Sequence, residues 1–146
     1  MAIRKARAVW ESNLKEGRGT MALGQDGLEL PYSFESRFAD GSGTNPEELI
    51  GGAHAGCYSM ALALGLGEAG HPPVRIETSA RVHLEKAGDG FVIPKIELET
   101  EADVPGLEDD QFQEIAQTAK QNCPLSKVLA AADITLDAKL LNRQQA

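Results

Sequence analysis

The sequence predicts an α+β fold in which antiparallel sheets pack on a long, buried central helix. Three observations predict it. Two stretches of the second half alternate between apolar and polar residues, as half-buried strands do. A capped run without any Asp, Glu, Lys or Arg, Leu49 to Gly67, precedes them. A helical spacing of apolar residues then follows, at Phe112, Ile115, Ala116 and Ala119.

From Val74 to Leu84 the even positions read Val, Ile, Thr, Ala, Val, Leu, and the odd ones between them are polar or charged. Ala87-Gly88-Asp89-Gly90 supplies turn chemistry. Ile96, Leu98, Thr100, Ala102 and Val104 then alternate with Glu97, Glu99, Glu101 and Asp103. The two runs form an antiparallel hairpin, and Pro94 puts the start of the second at an edge or irregular position. The helix through Phe112 begins at Glu108, Asp109 and Asp110, whose charges suit a helix N-terminus. Asn122-Cys123-Pro124 interrupts it, and Pro124 opens a short helix through Val128 and Leu129. Ile134, Leu136, Ala138 and Leu140 give a last strand, with Asn142 to Ala146 read as a frayed tail.

The first half is less regular. Ala6, Ala8 and Trp10 open a strand, and Gly17 to Leu23 pairs with it. Leu28, Leu30, Tyr32 and Phe34 alternate, and the extended chain is carried on through Arg37 to Phe38. Asp40 to Gly43 is a loop. Asn45-Pro46-Glu47-Glu48 then starts the central helix: Asn45 caps, Pro46 fits the first turn, and Glu48 can reach back to the cap. Gly52 and Gly56 make a small-residue ridge, and the uncharged run places protein all around the helix. One small domain struggles to enclose a helix on every side, so a second subunit is expected to help.

The length of 146 residues fits a single domain, residues 1–146. Fourteen Lys and Arg against 22 Asp and Glu leave a net charge of −8, which argues against nucleic-acid and anionic-membrane partners. The central run is weakly hydrophobic and flanked by Glu47, Glu48 and Glu68, so it reads as a buried helix, not a membrane span. The N-terminal residues show no apolar signal core, and a cytoplasmic, reduced location is expected.

Two cysteines cannot build a disulfide scaffold, and either could be a small buried hydrophobe. On a continuous helix Glu47 and Cys57 lie roughly 15 Å apart along the axis and about 80° apart around it. Glu47 could then join a Cys57 site only across a dimer or through a break at Gly51-Gly52. A mid-helix cysteine needs an outside cation to become a thiolate, and an arginine is the best candidate. Cys123, at a helix start, looks at least as activated as Cys57. No zinc spacing supports His54, Cys57, His71, His83 or Cys123 as ligands, so no metal is expected.

FESRF (Phe34–Phe38), GTNPEELIGGAHAGCYSMALA (Gly43–Ala63) and NCPLSKVL (Asn122–Leu129) together resemble the osmotically inducible protein C (OsmC) and organic hydroperoxide resistance (Ohr) family. VWES and ITLDAKL are similar to its osmotically inducible branch. The resemblance implies an OsmC-like, intertwined homodimer with sites at the subunit interface. It implies a peroxidase acting on organic hydroperoxides, and more weakly on hydrogen peroxide, with no cofactor and no metal. It places the peroxidatic cysteine on Cys57, the resolving cysteine on Cys123, the glutamate on Glu47 and the arginine on Arg37. Arg18 is the nearest candidate for the arginine of the Ohr branch. It implies a dithiol reductant, with dihydrolipoyl groups on lipoylated protein as the family's. Leu49, Ile50, Met60 and Leu125 are candidates for an apolar lining. The competing class is a non-enzymatic redox sensor or binding protein using the same cysteine pair, separated from an enzyme by turnover.

Overall fold

A computed structural model describes residues 1–141; the tail read as frayed lies outside the described residues. The sequence reads as one domain, and the contacts group into two compact units that meet at Leu49 and Ile50.

In the first unit, β1 (Ala6–Glu11), β2 (Arg18–Leu23) and β3 (Leu28–Tyr32) form an antiparallel meander. Register puts Trp10 and Tyr32 on either side of Gly19. A Cβ at Gly19 would come within 2.6 Å of both rings, so only glycine lets them meet at 5.3 Å between centroids. Ala22 is the one buried apolar side chain among the described residues of this unit. The extended reading of Phe34 to Phe38 is corrected: these residues form a short helix, α1. Ser33 and Ser36 cap it reciprocally, and the Ser36 hydroxyl also donates to the Thr44 carbonyl at 2.6 Å.

The helix α2 runs unbroken from Pro46 to Glu68. Asn45 Oδ1 accepts from the Glu48 N–H at 2.8 Å, the cap the sequence predicts. The Glu48 carboxylate accepts from the Thr44 hydroxyl at 2.8 Å and so braces the approach to the helix. At the far end Gly70 takes φ +84°, and the His71 N–H bonds back to the Leu66 carbonyl in a Schellman stop. By length and composition α2 would suffice to cross a membrane, as core helices of soluble proteins also do.

In the second unit, β4 (Arg75–Ala87) and β5 (Gly90–Asp103) form the expected hairpin, and β6 (Asp133–Leu141) lies parallel to β5. Pro94 sits in β5 beside a register shift between His83 and Glu85, just before β6 pairing begins at Lys95. Its missing N–H therefore breaks no ladder there. The alternation holds: Ile96, Leu98, Thr100 and Ala102 are buried while Glu99 and Glu101 are exposed. The core joins them to Tyr58, Leu62 and Leu66 of α2, and to Phe112, Ala116 and Ala119 of α3 (Asp109–Asn122). Each leucine, isoleucine and phenylalanine among them contributes about 1.5–3 kcal/mol by leaving water.

Within one chain α2 is covered along one stripe only, and the sequence expects a second subunit to help complete the cover. The buried stripe is His54, Tyr58, Leu62 and Leu66, while Met60 and Leu64 are 76% and 63% exposed. Gly51 approaches Ala80 and Val82, and Gly65 approaches Ile115, but the Gly52 and Gly56 ridge meets nothing within 4 Å.

Candidate active site

Cys57 stands on the middle turns of α2, and Cys123 caps α4 (Pro124–Val128). The two cysteines are 66 positions apart in sequence, and the chain folds so that the Cys123 thiol donates to Cys57 Sγ at 3.1 Å. Both are free thiols. Cys123 is fully buried and Cys57 is partly open. A disulfide needs about 2.05 Å between sulfurs, so roughly one ångström of closure would join them.

From the sequence, the helix start makes Cys123 at least as activated as Cys57. The structure gives that hydrogen bond to the other sulfur. Cys123 makes no side-chain cap bond, whereas the Leu125 N–H, in the first turn of α4, bonds to Cys57. Burial first, and the adjacent Cys123 thiol next, push the Cys57 thiol above its ordinary value, and the Leu125 N–H pulls part of the way back. A cation is not among these influences.

In the first unit, α1 and the start of α2 bring Arg37 to Glu47. Arg37 Nε donates to both carboxylate oxygens, at 3.1 and 3.2 Å, and Nη2 donates to Oε1 at 2.7 Å. Glu47 is 7% exposed, and the guanidinium lies 5.3 Å from the Phe38 ring centroid. The helical turn at Phe34 to Phe38, unseen in the sequence, presents this arginine. Arg18, the other candidate, is exposed at the start of β2 opposite Glu11. The helix α2 is continuous, so the break at Gly51-Gly52 considered from the sequence does not occur.

One polar pair escapes the sequence reading. His54 Nε2 and Ser126 Oγ, 72 residues apart in sequence, share a buried hydrogen bond of 2.8 Å. Burial lowers the His54 imidazole below its ordinary value. Tyr58 donates to the Ala116 carbonyl at 3.2 Å, and burial pushes its phenol far up, so it is a neutral donor.

An open, largely apolar groove of about 1090 Å³ has Cys57 on its wall, with Met60, Leu64 and Ile115. Of the predicted lining residues, Met60 lies here, while Ile50 and Leu125 pack against the core and Leu49 belongs to the first unit. His83 is bound to Glu97 at 2.6 Å, away from the cysteines in sequence and paired on the sheet. Among the described residues no three His, Cys, Asp or Glu side chains are grouped to hold a metal ion.

The family model for OsmC, described as OsmC-like protein, matches residues 39–139. Peroxiredoxin OsmC of Escherichia coli is 51% identical over 138 residues, covering 94% of this chain and 96% of that one. An organic hydroperoxide resistance protein of Xanthomonas axonopodis is 28% identical over 124 residues, covering 84% and 85%. Among solved structures, an OsmC-like protein of unknown function from Vibrio cholerae superposes with a TM-score of 0.76 at 15% identity. It covers 94% of this chain and 99% of its own, which shows the fold.

Proposed function

The chain belongs to the OsmC family, and from that membership we propose a thiol-dependent peroxidase that reduces organic hydroperoxides in oxidative stress defence. The observation that carries this is the sulfur pair, 3.1 Å apart, with one sulfur partly open and the other buried. The Cys57 thiolate attacks the distal peroxide oxygen. The O–O bond breaks, the alkoxide takes a proton and leaves as alcohol, and Cys57 becomes a sulfenic acid. Cys123 attacks that sulfur, water leaves, and a Cys57–Cys123 disulfide forms. An external dithiol, of which lipoyl groups on a carrier protein are one class, returns two electrons and two protons. Hydrogen peroxide is the weaker substrate, because it has no alkyl group for the apolar groove.

Arg37 and Glu47 complete the site from a second copy of the chain. The need for a cation at Cys57 and the open apolar face of α2 support this homodimer. Arg37 stabilises the thiolate and Glu47 fixes its plane. A cytoplasmic location, with reduced thiols, suits the cycle.

The test is peroxide consumption with excess dithiol. A peroxidase consumes many equivalents of cumene hydroperoxide per chain, and Cys57→Ser abolishes this. Consumption of a single equivalent would identify a redox sensor, and full turnover by Cys57→Ser would remove Cys57 from the chemistry.

A further inference from the structure

The cysteine pair is one of two contacts at matching positions. Cys57 and His54 are three apart on α2, and so share a face. Cys123 and Ser126 are three apart at the start of α4. Cys57 meets Cys123 and His54 meets Ser126, so the two segments are joined by two rungs in opposite chain directions. The Leu125 N–H to Cys57 lies between them.

We propose that His54 and Ser126 are positioning residues that hold α4 against α2 while Cys57 is oxidised, so that Cys123 closes the disulfide before a second peroxide reaches Cys57. This inference rests on the peroxidase reading above.

The need for such a hold follows from length. The five residues of α4 are far too few for a helix to persist by itself. Among the described residues, two hydrogen bonds join a side chain of the α4 segment to a side chain of α2, and they are these two rungs. Oxidation destroys the sulfur rung, because the Cys57 sulfur then carries an oxygen. The His54–Ser126 rung is chemically untouched by peroxide. It is also buried, His54 at 0% and Ser126 at 7% exposure, where a hydrogen bond is strong and a broken one is costly. His54 Nδ1 has no partner, so among the described hydrogen bonds Ser126 alone orients the ring.

Two fates leave the sulfenic acid. Attack by Cys123 expels water and gives the disulfide. Attack of the sulfenate on a second hydroperoxide breaks its O–O bond, transfers one oxygen and gives a sulfinic acid plus alcohol. Their ratio reports how well Cys123 is held and starts from one species, so it is insensitive to how fast that species formed.

The experiment oxidises the reduced protein with graded cumene hydroperoxide and reads disulfide against sulfinic acid by intact-mass spectrometry. Ser126→Ala, a small change, is expected to raise the sulfinic share about fivefold to tenfold, the effect of losing one buried hydrogen bond. His54→Leu should do the same, and His54→Gln, which keeps a polar group near the Nε2 position, should restore much of the wild-type ratio. Leu62→Ala, which loosens the core without touching either rung, should lower the melting temperature and leave the ratio alone. A wild-type ratio in folded Ser126→Ala overturns the positioning role while leaving the peroxidase reading intact. Absence of any peroxide-driven disulfide in the wild-type protein overturns both.

Discussion

Arg37 grips Glu47 through three hydrogen bonds, two from Nε and one from Nη2, with the carboxylate almost wholly buried. A planar fork of this kind fixes the orientation of the guanidinium as well as its place, and lysine has no equivalent geometry. Arg37→Lys keeps the charge and loses the fork. Hydroperoxide turnover is expected to fall about tenfold to a hundredfold, the scale of losing charge-assisted hydrogen bonds. The Cys57 thiol should titrate higher in both Arg37→Lys and Glu47→Gln. Unchanged turnover and titration in Arg37→Lys would show that this pair only braces the fold.

Cys123→Ser removes the proposed resolving thiol and, on that reading, leaves Cys57 exposed to a second oxidation. The variant should form a sulfenic acid on Cys57, detected by dimedone adduction. It should then pass to the sulfinic acid at peroxide concentrations that the wild-type protein survives. A dimedone adduct on any residue other than Cys57 would reverse the assignment.

Acid should weaken the fold through His54. Burial holds its imidazole below the ordinary value of about 6.5, so beneath that pH the unfolded chain binds more protons than the native one. The contribution is therefore complete above about pH 6.5 and is lost as the pH falls below it. Urea unfolding between pH 7 and pH 5 should show stability declining, with a smaller decline in His54→Gln. Equal slopes would place the acid sensitivity elsewhere.

The exposed face of α2 makes the second copy testable. Leu64→Glu puts a charge on an apolar surface that is 63% exposed in the single chain. The variant should sediment nearer the 15.6 kDa of one chain and lose turnover with it. A wild-type protein that is already monomeric and fully active would remove the dimer from the mechanism.

Much of this architecture is legible in the sequence because it rests on local periodicity. Period-two alternation from Val74 onward reports which strand face is wet, and Asn45-Pro46 reports where α2 begins, whatever surrounds them. Phe34 to Phe38 fails for the opposite reason. Its alternating residues look extended, and the helix is held by a Ser33–Ser36 cap together with the distant Thr44 carbonyl. The uncharged run of α2 reports an apolar helix, but apolar composition does not say which chain supplies the cover for Met60 and Leu64. The site divides the same way. Cys123 sits at a helix start as its proline predicts, but spacing along the chain cannot show that the Leu125 N–H serves Cys57 instead. Nor can it reveal a partner 72 residues away, as for His54 and Ser126.

The unequal access of the two sulfurs has a consequence for the return half of the cycle. With Cys123 wholly enclosed and Cys57 partly open, an incoming dithiol can strike a bond between them only at Cys57. On the proposed cycle the mixed disulfide then forms on Cys57, and Cys123 departs as the leaving group. Oxidant and reductant thus arrive at one atom by one entrance. Neither can be served while the other is bound, and a crowded supply of either should slow the whole cycle.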